Sequence, residues 1–562
     1  MSTSKGKKIQ LFRYYIPVIL FGMDLFFLRR VVFSGMLPGG DTSLIMMQCE
    51  HWYDVTSNGF GLSEMRSFWP LTGWLGGSDI MLGEGLLHAA LRSLGMDLFD
   101  AYKWTVFVTH LMGVLFLWLL LRNLKTNPIM IIVGEIIVFF SCSFSAFSGH
   151  SQFFSYAYVA AVFWGMERCW HFRNEGGKKR FPYELIITFF VGLCFLTAFY
   201  VGYFLVIQLA VATVIFILMR IRKYNIKDVR KFITEAVMVI IFQLWWIIPF
   251  LKTYLPILKL LGSGKSDAET ALFSADFSDI FRTRSLFPLE KLWNEYFPHR
   301  LPEGYEAWRH NVEAEVSSGY PFITALLFIA GSVWAVMAIR KEKTSKDEKV
   351  KIQAIMALSI SVIIVLMLFL KIGETSLWIL IRNIIPGGSA IRAAARALGM
   401  NLLPVGIVTA VSGTEVINNL KIRNIYKNVA AVTILVFLAA VNYSEIPVQA
   451  YFDDLRSQLA EVPNPPKECK VMVYLRKDEK YDYYVQMRSW MIASDKNLYT
   501  VNGYSGNLPP GWDLANAPGN EIYLKNLSIY FELFGVTNTE SVFVYDEGSH
   551  YWSRLELDGI EL

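Results

Sequence analysis

The sequence predicts a mainly α protein. Residues 1–442 read as a polytopic transmembrane helical bundle of about eleven spans, and residues 443–562 as a small extracytoplasmic α/β domain. Three observations carry this. Hydrophobic residues make up 54% of the 562 and charged residues only 18%, a balance that would leave a soluble protein with large exposed apolar patches. The apolar residues fall in blocks of roughly 20, the length that crosses the hydrocarbon core. Alternate connections between the blocks are basic.

The predicted spans are Tyr14–Val32, Tyr102–Leu121, Pro128–Phe147, Phe153–Trp170, Leu185–Gly202, Tyr203–Leu218, Ile233–Phe250, Tyr320–Ile339, Ile352–Leu370, Ala397–Val416 and Val429–Val441. Gly202–Tyr203 reads as a tight turn between two of them, and Leu377–Ile385 as a short interfacial helix. The first block has no small-residue cleavage site after it and reads as an anchor.

The basic connections carry Lys5, Lys7, Lys8 and Arg13; Arg122 and Lys125; Arg173 and Lys178–Arg180. They continue with Arg220, Arg222, Lys223, Lys227, Arg230 and Lys231; Arg340, Lys341, Lys343, Lys346, Lys349 and Lys351; and Lys421, Arg423 and Lys427. The positive-inside rule puts these in the cytoplasm, with the N-terminus. An odd number of spans then places the C-terminal domain outside, for a chain resident in the cytoplasmic (inner) membrane. This topological role suffices for the net charge of +5, so nothing points to nucleic acid.

On the outer side lie a first loop, residues 33–100, a second large loop, residues 252–318, and the C-terminal domain. That domain mixes strand-like runs (Val471–Leu475, Ser541–Tyr545) with helical patterns (Tyr484–Ala493, Glu521–Phe534), and Pro463, Pro465 and Pro466 mark its start. No C-x-x-C spacing joins the five cysteines, which argues against a zinc site or a disulfide framework.

The first loop opens with Leu37-Pro38-Gly39-Gly40-Asp41 directly after the first span. The glycines let the backbone turn sharply and put one carboxylate at the membrane boundary. Turn statistics alone read Asp41 as a cap on the helix that follows, Thr42–Val55. Further along, Trp69-Pro70, Trp74 and a glycine-rich run surround Glu64, Asp79 and Glu84, acids beside rigid aromatic surfaces. Each Trp is equally read as part of an interfacial belt. Within the spans, Asp24 and Glu135 are costly charges that suit pairing between helices, and snorkelling accounts for Arg29 and Arg30.

Further segments recur in order: Ser148-Gly149-His150-Ser151-Gln152, Thr197–Phe204, Ile385–Ala397 with its Pro-Gly-Gly and three Ala between two Arg, and Asn502-Gly503-Tyr504-Ser505-Gly506 followed by Pro509-Pro510-Gly511-Trp512. Together with the Gly-Gly-Asp turn and this topology, the chain resembles the GT-C superfamily of integral membrane glycosyltransferases, and within it the bacterial YfhO-like members.

The resemblance implies a polyprenyl-phosphate-linked sugar as donor, a glycan or glycolipid acceptor outside the membrane, and inverting transfer with Asp41 as general base. It directs attention to Trp69, Glu84, His150, Gln152, Tyr200, Arg382, Arg392, Arg396 and Tyr504 as substrate-binding residues. Arg392 and Arg396 are four apart, which on a helix is one face, and guanidinium groups suit phosphate. The resemblance leaves room for a divalent metal, but no D-x-D or E-D pair opens the loop, so no cofactor is assigned. Two other readings stay open: a transporter or flippase of a lipid-linked glycan, and a non-catalytic envelope-assembly protein.

Overall fold

Long uninterrupted apolar runs satisfy their backbone polar groups internally by forming helices, which is what crossing a bilayer demands. The computed structural model describes residues 2–556 except 174, 176, 222–225, 263, 341–344, 421–422 and 478–479. Arg222, Lys223, Lys341, Lys343 and Lys421 lie outside the described residues, as do the side chains of Lys5, Lys7, Lys8, Arg13, Lys227, Arg230, Lys231 and Lys346. Among the described residues, eight helices are long and apolar enough to span a membrane, and each matches a predicted span.

Two of the other three predicted spans fall on helices Ser2–Phe27 and Asn424–Val441. The segment predicted at Phe153–Trp170 is a helix only over Tyr156–His171. Before it, Ala146–Gly149 and Ser151–Ser155 form 3-10 turns, because this Ser- and Gly-rich stretch bonds locally rather than continuing an α-helix.

The turn expected at Gly202 lies at Ala198 instead, between helices Gly177–Thr197 and Phe199–Leu218. The Asp79 carboxylate accepts from the Phe199 N–H at 3.0 Å and starts the second helix there. Gly202 serves packing: a Cβ on it would stand 2.7 Å from the Phe195 ring. The expected interfacial helix is Leu377–Ile381, with Leu377, Leu380 and Ile384 exposed.

The two ends of the bundle differ. At one end, Lys351 donates to the Leu124 carbonyl at 3.0 Å, Arg173 pairs with Asp347 at 2.7 Å, and Arg220 donates to Gln353 at 3.0 Å, which gathers the basic connections. At the other end the first loop, the second loop and the C-terminal domain assemble. Strand Met36–Pro38 pairs antiparallel with Val448–Tyr451, so the exit from the first helix is tied to the start of the C-terminal domain.

The C-terminal domain is a four-stranded sheet in the order Tyr499–Thr500, Val471–Leu475, Val542–Asp546, Tyr551–Arg554. The first three strands are parallel and the last antiparallel. Helices Tyr483–Asp495 and Asn520–Leu533 match the predicted patterns. The first loop completes this domain's core. Phe68 and Trp74 are buried in it beside Trp512 and Val501, and the Trp69 N–H donates to the Thr500 carbonyl at 3.0 Å.

Candidate active site

The segment carrying Asp41 is held by backbone contacts that exclude side chains. Gly40 has φ +86°, and a Cβ on it would lie 2.5 Å from the Gly149 carbonyl oxygen. The Asp41 N–H donates to that same oxygen at 2.7 Å. Asp41 occupies the N-cap position of helix Thr42–Ser57, yet its carboxylate makes no capping bond. The carboxylate turns instead to a cavity of about 280 Å³ at the junction of the bundle, the first loop and the C-terminal domain.

Behind Asp41 stands a buried charge network. His150 Nδ1 lies 3.3 Å from Asp41 Oδ2, and His150 Nε2 lies 3.3 Å from Glu315 Oε1. Glu315 is gripped in bidentate fashion by Arg396, with Nε donating at 2.6 Å and the terminal nitrogen at 2.5 Å. The Arg396 guanidinium lies over the Phe153 and Tyr200 rings, with centroids 5.0 and 4.7 Å away.

Burial by itself raises a carboxyl pKa, but His150 beside Asp41, helped by Arg396, outweighs it and holds Asp41 below the usual carboxylate range. Burial likewise opposes charge on Glu315, and Arg396 and His150 override it to keep that group ionised well into acid. For His150, burial and Arg396 disfavour the imidazolium; Glu315 and Asp41 win, and its pKa is raised.

Across the cavity lie Arg392 and Lys265. Arg392 is 3.6 Å from Glu269, lies over the Phe273 ring with its centroid 4.8 Å away, and is about one third exposed. Lys265 has its pKa lowered by burial, opposed by Glu269 and reinforced by the nearby Arg392. These two cations line the same space as the Asp41 and Asp79 carboxylates, with Glu269 beside them, so an entering anion would find its partners in Arg392 and Lys265. The side wall is apolar: Phe250, Tyr254, Ile257 and Leu258 come from the helix spanning Ile240–Leu261. The adjoining face of that helix leaves Ile240, Leu244, Ile248, Leu251 and Leu255 exposed, and Leu258, where the two faces meet, is exposed as well. The roof comes from the C-terminal domain through Tyr504–Asn507. It is pinned by Asn507 N–H to Gly77 O at 2.9 Å and by Trp74 Nε1–H to Asn507 O at 2.7 Å.

Of the residues singled out in the sequence, Asp41, Gln152, Tyr200, Arg392, Arg396 and Tyr504 line this one cavity, and His150 adjoins it through Asp41. One correction follows. Arg392 and Arg396 do not share a helix face: Arg392 precedes a 3-10 turn at Ala394–Arg396, and the Tyr200 hydroxyl fixes the irregular backbone by accepting from the N–H groups of Arg392 (2.8 Å) and Ala393 (3.1 Å). The two guanidinium groups therefore differ, one gripping Glu315 and one 3.6 Å from Glu269.

The remaining three lie elsewhere. Arg382 is buried against Asp267, donates to Thr270 Oγ1 at 2.6 Å and so straps the second loop. Trp69 packs edge-on against Phe531 in the C-terminal domain. Glu84 is buried beside Tyr158 and Thr197, and burial pushes its carboxyl up to about 8. Glu315, Asp79 and Lys265 had not been singled out as site residues. Glu315 sits among mixed charges in a loop, with no spacing that ties it to Arg396 81 residues later.

Among the described residues, acids and an imidazole close enough to share an ion occur together at Asp276, Asp279 and His299, and none of them lines the cavity. Arg282 already binds Asp279 at 2.6 Å, and Lys371 lies 3.7 Å from Asp276 and 3.3 Å from His299 Nε2. With these cations in place the group does not suit a divalent metal.

No family model and no curated protein matches this sequence. Solved structures do. The arabinofuranosyltransferase AftD from Mycobacteria aligns with a TM-score of 0.46 and 10% identity, over 88% of this chain and 32% of its own. ArnT from Cupriavidus metallidurans aligns in its apo state with a TM-score of 0.35 and 10% identity, over 89% of this chain and 86% of its own. ArnT bound to undecaprenyl phosphate gives 0.36 and 11%, over 86% and 85%. This chain therefore spans about a third of the length of AftD.

Proposed function

We propose that the chain is a GT-C-type, YfhO-like glycosyltransferase that moves a sugar from a polyprenyl-phosphate donor to a glycan or glycolipid acceptor at the outer face of the cytoplasmic membrane. One observation carries this reading. The Asp41 carboxylate, held in its charged form, and the cations Arg392 and Lys265 face a common cavity whose side wall belongs to a helix with an exposed apolar face. An isoprenoid chain lies along Phe250–Leu258, and its phosphate meets Arg392 and Lys265. The acceptor hydroxyl approaches from the side of Asp41.

In the reaction, Asp41 takes the acceptor proton as the oxygen attacks the anomeric carbon. The bond from that carbon to the phosphate oxygen breaks, and the electron pair leaves on phosphate, where the cations stabilise it. Attack opposite the leaving group inverts the anomeric centre. His150, between Asp41 and Glu315, holds the base in position and sets its charge. The Arg396–Glu315 pair fixes His150.

Asp41→Asn removes the base but keeps shape and size. Transfer from a polyprenyl-phosphate-linked sugar is expected to fall about 100- to 10,000-fold while binding of the lipid donor persists. Transfer retained by Asp41→Asn at the wild-type rate would end the assignment. Transport of lipid-linked glycan into vesicles without any covalent transfer would favour the flippase reading instead.

A further inference from the structure

A second cavity, of about 440 Å³, lies apart from the candidate active site, in a groove between the first helix and the last. Its walls include Gly22 and Phe26 of the first helix, Phe140 and Ala439, and its loop-side rim carries Arg29 and Arg30. The groove runs beside apolar helices of membrane type, so its body meets hydrocarbon and its rim meets the interface.

The rim is short of negative charge. Arg29 donates to the Phe26 carbonyl at 2.8 Å and reaches the Tyr443 hydroxyl at 3.4 Å; both are neutral acceptors. Among the described residues no carboxylate lies within ion-pair distance of it. Arg30 has Glu445, but at 4.0 Å and with 62% of the Glu445 side chain exposed. Two guanidinium groups and one carboxylate leave a single positive charge at the mouth of an apolar groove. The complement of that arrangement is a monoanionic headgroup on an acyl chain.

Gly22 keeps the groove open. A Cβ added there would meet no heavy atom within 4 Å, so the empty space begins at the helix backbone itself. The groove also abuts the segment that leads to Asp41. Ile446, which lines it, packs in a small buried cluster with Val31 and Met36, and Met36 begins the strand paired with Val448–Tyr451.

We infer that this groove binds one anionic phospholipid, its phosphate between Arg29 and Arg30 and an acyl chain against Gly22 and Phe26. The site is separate from the donor cavity and independent of the reading given for it. Native mass spectrometry of the full-length protein, exchanged into micelles containing equal phosphatidylglycerol and phosphatidylcholine, tests it.

The wild type is expected to retain one phosphatidylglycerol in preference to phosphatidylcholine by about fivefold to tenfold. Arg29→Gln with Arg30→Gln should lose the preference. Gly22→Phe, whose Cβ enters open space, should lose the bound lipid while leaving the thermal unfolding midpoint in place. Equal retention of both lipids by the wild type, or undiminished retention by Gly22→Phe, would overturn the inference. So would a co-purified polyprenyl phosphate in this groove, or a dimer that retains no lipid and dissociates on Gly22→Phe.

Discussion

Asp41 and His150 set each other's charge. The depressed Asp41 pKa means that its contribution is present above the ordinary value of 3.8 and is lost only as pH falls through its lower folded value. The raised His150 pKa means that its contribution is full below 6.5 and is lost as pH rises through its higher folded value. Between those limits a carboxylate faces an imidazolium. His150→Gln removes the positive partner, so the acid limb of the proposed transfer reaction is expected to move to higher pH, read from a pH–rate profile. An unmoved limb would mean that His150 does not act on the base.

Glu84 behaves in the opposite sense. Its folded carboxyl keeps a proton up to about pH 8, whereas the ordinary group releases it near 4.5. The stability it supplies is therefore full below 4.5 and lost progressively as pH rises to about 8. Glu84→Gln should flatten that loss, so that unfolding midpoints of variant and wild type diverge in favour of the variant between pH 5 and pH 8. Asp41 was legible because two glycines and an acid after a first span are an unusual turn. Glu315 was not, because a buried partner across 81 residues leaves no local pattern.

At the scale of elements, the approach of the 39–41 turn to the Ser148–Gln152 segment decides where Asp41 points. Gly40→Ala puts a Cβ at φ +86° against the Gly149 carbonyl. It should destabilise by about 1 kcal/mol or more and reduce transfer, measured as a shift in thermal unfolding and a fall in rate. The apolar spans were legible at this scale because their length is set by the bilayer. The pieces around Ala198 and Arg392 were not. Their backbone is fixed by side chains far away in sequence, Asp79 of the first loop on Phe199 and Tyr200 of a bundle helix on Arg392, and those bonds override the helical spacing.

For the whole molecule, the candidate site is a junction. The bundle supplies Arg396, Tyr200 and the apolar wall. The first loop supplies Asp41 and Asp79, the second loop Lys265 and Glu315, and the C-terminal domain the Tyr504 roof. The C-terminal domain was legible as a separate composition, but not its dependence on Phe68 and Trp74, which enter its core from a loop more than 370 residues earlier. In the proposed reaction the wall of Phe250, Tyr254, Ile257 and Leu258 receives the isoprenoid. Photo-crosslinking with a diazirine-bearing polyprenyl phosphate, mapped by peptide mass spectrometry, tests that directly. Adducts are expected on this stretch, competed away by unlabelled polyprenyl phosphate. Adducts confined to the groove at Gly22 and Phe26, or to the basic end of the bundle, would contradict it.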